Sequence, residues 1–199
     1  MKLFFSPGAC SLSPHIVARE AGIDIELVRV DPKDKRTSDD RDYLAINPKG
    51  NVPALELDDG RVLTEGAAIV QFLADLRPDT GLVPPPGSFQ RYRMAEALNF
   101  IASELHKGFS PLFYRPSDEE RAKIEAKLAR RFADVVRQLG SQRHWFGDEF
   151  SAADAYLFAI LRWAEFTKIP LPPTLAAFVE RVASRPAVRE AIAAEGLSG

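Results

Sequence analysis

Cys10 is the only cysteine of the chain, and it lies at a turn between a short apolar segment and a helical pattern. The apolar segment covers residues 2–5, and the helical pattern begins near Ser11. Backbone N–H groups at the first turn of a helix point outward without partners, and together with the helix dipole they favour a thiolate. A thiol in this position is suited to nucleophilic or sulfur-binding chemistry. The alternative is a small buried apolar side chain, which describes most free cysteines.

A second group of polar side chains lies in the second half of the chain. Asn99, Ser103, His106 and Ser110 follow one another at steps of four, three and four residues, which places them on one face of a helix. A single helical histidine is more often structural than catalytic, whereas a complete polar stripe beside an apolar one indicates a functional face. The sequence therefore offers two candidate groups, one at Cys10 and one along this stripe.

The elements that position Cys10 combine strands and helices. Strands are predicted at 2–5, 26–30, 54–57 and 61–63, and helices at about 11–21 and 65–76, with a short helix near 42–46. Gly60 completes an Asp-Asp-Gly hairpin turn between the last two strands. The first strands and the helix between them form a β-α-β unit, which implies a parallel pair with a right-handed crossover.

A segment rich in proline and glycine, from Arg77 to Ser88, interrupts this pattern and predicts a linker. Everything after it is predicted to be helical, with helices at about 89–114, 118–139, 174–184 and 186–195 and a further helix that begins at Ser151. Ser117 and Ser151 each precede an acidic residue by three positions, which is the spacing of a capping box. The predicted organisation is a domain of residues 1–78, a linker at 79–87 and a helical domain of residues 88–199.

Composition narrows the class of protein. The net charge of −2 gives no reason to expect nucleic acid or an anionic membrane as a partner. A single cysteine cannot form an internal disulfide, which fits a reducing compartment and predicts a cytoplasmic protein. The longest apolar run, residues 155–161, is too short to cross a membrane. The histidines are too scattered for a metal motif; His15 is interpreted as structural, and His144 as loop surface beside Trp145 and Phe146, which are predicted core residues.

Several stretches of the chain together resemble the bacterial glutathione transferases of the beta class, in particular members found among enzymes of aromatic-pollutant degradation. The matching stretches are residues 6–15, 47–53, 63–69, 98–101 and 103–107. The resemblance extends over the whole chain. It implies an α/β plus all-α architecture, with a thioredoxin-like N-terminal domain that binds glutathione and a C-terminal helical bundle that binds a hydrophobic electrophile. It also implies a homodimer, and glutathione as co-substrate without a metal.

The resemblance implies roles for residues of the first domain. The backbone of Val52, followed by a cis Pro53, would pair with the cysteinyl part of glutathione. Glu65 would accept from the γ-glutamyl ammonium group, and the N–H of Gly66 would bind the γ-glutamyl carboxylate. Lys35 would reach the glycine carboxylate, although the neighbouring cations Lys33 and Arg36 are alternatives if the register of the loop differs.

The resemblance also implies roles for the helical domain. His106 would face the glutathione sulfur, and Asn99 would bind the same site. Ser103 and Glu104 would reach the site of the other subunit across a dimer two-fold axis, and Lys107 belongs to the same glutathione-binding stretch. Aromatic side chains of this domain are predicted to line the electrophile pocket, namely Phe109, Phe113, Tyr114 and Trp163.

The resulting hypothesis is a transferase in which Cys10, His106 and the hydroxyl of Ser11 stabilise the thiolate of glutathione. Two alternatives stay open at the level of the sequence. The first is a glutathione-dependent thiol–disulfide reductase or reductive dehalogenase that uses Cys10 as a redox thiol. The second is a non-catalytic protein of the same fold that binds hydrophobic ligands or serves as a scaffold.

Overall fold

The computed structural model describes residues 1–197. They form two compact units, one of residues 1–83 together with residues 183–197, and one of residues 84–182. The N-terminal unit contains strands and helices, and the second unit is helical. The mixed and all-helical composition is as predicted. The boundary differs from the predicted helical domain of residues 88–199, because the end of the chain belongs to the first unit.

The N-terminal unit contains a four-stranded sheet with the strand order β2-β1-β3-β4. The strands are β1 (Lys2–Phe5), β2 (Glu26–Arg29), β3 (Ala54–Glu56) and β4 (Val62–Thr64). β1 is parallel to β2 and antiparallel to β3, which in turn is antiparallel to β4. This confirms the predicted β-α-β unit and hairpin. Phe4 in the middle of β1 is fully buried and packs with Tyr43, so the central strand lies in the core.

Three helices accompany the sheet in the first part of this unit. They are α1 (Leu12–Glu20), α2 (Tyr43–Ile46) and α3 (Gly66–Asp75). α1 ends shortly before Gly22, whose positive φ of 62° suits a residue without a side chain. Asp42 caps α2 by accepting a hydrogen bond from the N–H of Leu44 at 2.9 Å.

The helical unit begins with a helix that changes its type along its length. α4 (Phe89–Phe100) continues into a π-helical segment (Ile101–His106), then α5 (Lys107–Phe109) and a 3₁₀ turn (Ser110–Tyr114). The single helix that was predicted over 89–114 therefore consists of four consecutive helical segments. The remaining helices of this unit are α6 (Asp118–Leu139), α7 (Ala152–Leu161), α8 (Trp163–Thr167) and α9 (Pro173–Ala183). Both predicted capping boxes, at Ser117 and Ser151, are present.

The last helix, α10 (Pro186–Ala194), packs on α1 in the N-terminal unit. Arg185, just before it, donates two hydrogen bonds to the carboxylate of Glu20 at 2.6 and 2.8 Å. Oε1 of Glu195, just after it, lies 3.0 Å from Nδ1 of His15, and both side chains are fully buried. These contacts explain why the end of the chain groups with the first unit, and they fit the prediction that His15 is structural.

His144 is buried, with 2% of its surface exposed, so its interpretation as loop surface is wrong. Its ring packs edge-on against Phe150 and Phe178, and its Nδ1 lies 3.8 Å from Oδ1 of Asp154. Trp145 is buried as predicted, whereas Phe146 is 39% exposed and is not a core residue. No helix in the described part of the chain combines the length and the apolar character needed to cross a membrane.

Candidate active site

Cys10 lies in the turn between β1 and α1, and 8% of its surface is exposed. Its Sγ donates a hydrogen bond to the carbonyl oxygen of Val52 at 3.4 Å. The peptide bond between Val52 and Pro53 is cis. The structure thus brings the thiol, at the beginning of a helix, next to the backbone segment that leads into β3.

The turn that carries Cys10 is closed by two polar side chains. The hydroxyl of Ser11 is fully buried; it donates to the carbonyl of Ser6 and accepts from the N–H of Ser6, each at 3.2 Å. The carboxylate of Glu195 accepts from the N–H of Gly8 at 3.1 Å. The Ser11 hydroxyl thus holds the turn together, and the predicted contact of Ser11 with a sulfur atom stays a prediction.

Side chains in and next to α2 form hydrogen bonds with the backbone of the segment around Val52. The hydroxyl of Tyr43 donates to the carbonyl of Asn51 at 2.7 Å, and Nδ2 of Asn47 donates to the same oxygen at 2.8 Å. Burial raises the pKa of Tyr43, so its phenol stays a hydrogen-bond donor. The sequence analysis did not single out Tyr43 or Asn47. The 42–47 segment is visibly polar in the sequence, but only the fold shows that both side chains reach the carbonyl of Asn51, the residue before Val52.

Lys35 is the cation of the charged loop that reaches this segment. Its Nζ donates to the carbonyl of Gly50 at 2.9 Å. Arg36 is instead paired with Asp40, at 2.5 Å, and Lys33 is exposed. Of the three cations that the sequence left as alternatives, the geometry therefore favours Lys35 as the one beside the Val52 segment.

Glu65 and Gly66 begin α3. Gly66 is the first residue of the helix, so its N–H has no partner within the helix and is available to an anion. Glu65 has a positive φ of 72°, a conformation that non-glycine residues rarely adopt. Its carboxylate accepts from Nζ of Lys49 at 2.8 Å, and the same ammonium donates to the hydroxyl of Thr64 at 3.0 Å. Lys49 was not singled out from the sequence, although it lies in one of the matching stretches.

In the helical unit, His106 ends the π-helical segment. Its Nδ1 lies 2.9 Å from the hydroxyl of Tyr156 on α7, and its ring packs edge-on against Trp163 at 4.9 Å between centroids. Trp163 also contacts the rings of Phe109 and Phe113. π-helical turns are rare and occur frequently at functional sites, which agrees with a functional role for His106.

The other predicted residues of this helix differ in their surroundings. Asn99, Ser103 and Lys107 are exposed. Glu104 is half-buried and accepts from Nε of Arg131 at 2.7 Å. The hydroxyl of Ser110 donates to the carbonyl of His106 at 2.9 Å and so belongs to the helix backbone.

The structure therefore brings Cys10, Val52 and Pro53 together in the first unit and places His106 among aromatic rings in the second. The predicted meeting of Cys10 with His106 stays a prediction. Among residues 1–197, no group of three or more His, Cys, Asp or Glu side chains is arranged to hold a metal ion.

Comparison with known proteins identifies the family. Residues 8–76 match the model of the glutathione S-transferase N-terminal domain, and residues 100–186 match the C-terminal domain. Glutathione S-transferase GstA of Escherichia coli O157:H7 is 51% identical over 205 residues, which cover 99% of this chain and 100% of the relative.

Two solved structures show the same relationship. A sphingomonad glutathione S-transferase complexed with glutathione is 45% identical, with a TM-score of 0.94 and 100% of both chains covered. A bacterial beta-class enzyme from Sphingomonas chungbukensis is 42% identical, with a TM-score of 0.93 and the same coverage. The chain belongs to the glutathione S-transferase family, and bacterial beta-class enzymes are among its relatives.

Proposed function

We propose that this protein transfers glutathione to small hydrophobic electrophiles, with Cys10 and His106 at the glutathione sulfur. The observation that carries the proposal is the position of Cys10 at the beginning of α1, with its Sγ 3.4 Å from the carbonyl of Val52. A ligand thiol bound along the Val52 segment would lie beside the thiol of Cys10 and the first turn of α1. That is an environment in which a negative charge on sulfur is stabilised.

The chemistry of this reaction depends on the ionisation of glutathione. A free thiol is mostly protonated at neutral pH, and the thiolate is the nucleophile. In the proposed reaction the thiol proton passes to solvent, the sulfur forms a bond to an electrophilic carbon, and the leaving group departs with its electron pair. Hydrogen-bond donors that favour the thiolate increase the fraction of reactive sulfur.

Glutathione recognition is proposed to use groups from both units. The first unit would supply the backbone at Val52 and Pro53, the Glu65 carboxylate, the Gly66 N–H and the Lys35 ammonium. The second unit would supply Asn99 and Lys107, and in a homodimer Ser103 and Glu104 would reach the site of the partner. A sphingomonad relative binds glutathione, which supports the proposal. The electrophile is proposed to bind near the rings of Phe109, Phe113 and Trp163.

A second candidate is thiol chemistry of Cys10 itself, and its thiol, which is not part of a disulfide, favours it. In this reaction the Cys10 thiolate attacks the sulfur of a glutathione mixed disulfide or adduct. It forms a disulfide with glutathione and releases the other group with the electron pair, and a second glutathione thiol regenerates Cys10. Reductive dehalogenation is a variant in which glutathione first displaces the halide ion from the carbon. The Cys10 thiolate then attacks the sulfur of this adduct, the carbon departs with the electron pair and takes up a proton, and a second glutathione releases Cys10 as glutathione disulfide forms.

The experiment compares the wild type with Cys10→Ala in two assays, one with an aromatic chloride and one with a glutathione mixed disulfide. The proposal expects conjugation in the wild type and a reduced kcat for conjugation in Cys10→Ala. Retained conjugation with lost disulfide reduction would assign Cys10 to redox chemistry. Ser11→Ala is the matched control, because its hydroxyl bonds Ser6, and we expect it to lower stability more than kcat.

The proposal fails if the wild type binds glutathione but shows neither activity, and that outcome would support a binding or scaffold protein. Absence of glutathione binding in calorimetry would refute both glutathione-dependent reactions at once. Sedimentation of the same preparation would test the proposed homodimer.

A further inference from the structure

His106 and Tyr156 form a hydrogen-bonded pair within the helical unit. Nδ1 of the imidazole and the phenol oxygen are 2.9 Å apart, which is a normal hydrogen-bond distance. The two residues are separated by 50 positions in sequence, so only the packing of α7 against the π-helical segment brings them together. The rings stand at 88° to each other.

The direction of this hydrogen bond depends on the tautomer of His106. A neutral imidazole has one N–H and one nitrogen that accepts, and the hydrogen bond made by one nitrogen decides which tautomer is present. A phenol is a far stronger acid than a neutral imidazole N–H, and the unprotonated imidazole nitrogen is the stronger base. The stronger of the two possible arrangements is therefore the one in which the hydroxyl of Tyr156 donates to Nδ1 of His106 and the ring proton lies on Nε2.

The surroundings keep both partners in place. Tyr156 is 3% exposed, and every residue of α7 is buried. The ring of His106 is held from another side by Trp163, at 4.9 Å and 80°. The backbone of His106 is fixed by Ser110, whose hydroxyl donates to its carbonyl at 2.9 Å. A ring confined in this way does not flip to exchange its two nitrogens without disrupting the packing.

We propose that Tyr156 is a positioning residue that holds His106 in the tautomer with the proton on Nε2. This inference rests on the proposed function, in which His106 faces the glutathione sulfur. Nε2–H then donates a hydrogen bond to the thiolate while the imidazole is still neutral. The other tautomer would present a lone pair to the thiolate and repel it, so the hydroxyl of Tyr156 decides whether His106 helps or hinders the reaction.

The tautomer is measured directly by ¹⁵N NMR of the histidine side chains at a pH where the imidazoles are neutral, with His106→Asn used to assign the signals. In the wild type, we expect Nε2 of His106 to give the shift of a protonated nitrogen and Nδ1 that of an acceptor. In Tyr156→Phe, we expect the two shifts to move towards each other because both tautomers become populated. The matched control is Tyr92→Phe, which removes a hydroxyl from a side chain that is 67% exposed.

The kinetic expectation for Tyr156→Phe is a loss of about fivefold to tenfold in kcat for conjugation, the size expected for one hydrogen bond. The KM for glutathione should stay within about twofold, since a tautomer change does not remove a binding group. A purely structural role would lower thermal stability without moving the ¹⁵N shifts.

The inference is overturned if the wild type carries the His106 proton on Nδ1, or if Tyr156→Phe folds and leaves both shifts unchanged. The wild-type spectrum decides this point even if the variant fails to fold. If the shifts behave as expected but the wild type transfers no glutathione, the proposed function fails while the tautomer assignment stands. The two failures are therefore distinguishable.

Discussion

Asp154, the buried acid at the beginning of α7, should make the protein more stable at mildly acidic pH than at neutral pH. Its carboxylate accepts from the N–H of Trp145 at 2.7 Å and from the N–H and hydroxyl of Ser151 at 2.9 and 2.6 Å. Burial nevertheless outweighs these hydrogen bonds and raises the pKa of Asp154 from 3.8 to about 6. The folded state therefore binds a proton on Asp154 at a pH where the unfolded chain does not.

The direction and the size of this pH effect on stability follow from the linkage between proton binding and folding. Because the pKa is raised in the folded state, the extra stability is complete below the unfolded value and is lost as the pH rises through the folded value. A rise from 3.8 to about 6 corresponds to about 3 kcal/mol in total. Integrating between pH 7 and pH 5 gives a gain of about 1.4 kcal/mol from this group.

The assay compares urea denaturation of the wild type and Asp154→Asn at pH 5 and pH 7. Asparagine cannot ionise, and its amide nitrogen cannot accept, so the variant should be destabilised by about 2–4 kcal/mol at pH 7. The difference between wild type and variant should be larger at pH 5 by about 1.4 kcal/mol. Glu149→Gln is the matched control, since it removes an exposed carboxylate from the same loop.

A difference between wild type and Asp154→Asn that is the same at both pH values would refute the reasoning. It would mean that the three hydrogen bonds fully offset the cost of burying the charge. His144 lies 3.8 Å from Asp154, and if it becomes protonated it would favour the ionised carboxylate. Repeating the comparison in a His144→Asn background removes that contribution, and a pH effect that appears only in this background would assign the opposing charge to His144.

Two further predictions concern close packing at Gly108 and the beginning of α3. A Cβ at Gly108 would lie 2.9 Å from Cδ2 of Leu128, so Gly108→Ala should destabilise the protein by about 1 kcal/mol, the overpacking cost less the helix-propensity gain. Combining it with Leu128→Val should cost less than the sum of the single changes in urea denaturation, and full additivity would contradict the contact. Glu65→Gln should raise the KM for glutathione about tenfold with little change in kcat. Lys49→Met should not raise the KM for glutathione, because it removes the ammonium group that competes with the ligand for the Glu65 carboxylate. An equal increase of the KM in Glu65→Gln and Lys49→Met would contradict this account.

Patterns of neighbouring residues predicted those parts of the fold and of the site that depend on local chain geometry. The strand, turn and helix around Cys10, the hairpin at Gly60 and the caps at Ser117 and Ser151 each involve residues within a few positions of one another. Their physical causes, such as a capping side chain or a positive φ, act within one turn of the chain. The sequence is therefore sufficient for these elements.

Other features depend on partners that are distant in sequence. The π-helical segment at Ile101–His106 gives no local signal, because the same residues suit an α-helix equally well. Gly108, just beyond it, allows the close approach to Leu128 that the packing of α5 on α6 requires. The grouping of α10 with the first unit depends on Arg185 meeting Glu20, and nothing in the local sequence of α10 indicates that contact.

The three histidines show why residue type alone does not single out His106, the histidine that is proposed to act at the site. Nδ1 of His15 and Nδ1 of His144 each face a fully buried carboxylate, at 3.0 and 3.8 Å, inside a closed core. Such pairs fix the structure and offer no surface to a ligand. His106 is half-buried, and its Nδ1 faces the neutral hydroxyl of Tyr156. A neutral partner adds no charge that would repel a thiolate, and this distinguishes the surroundings of His106 from those of the other two histidines and supports its proposed contact with an anionic sulfur.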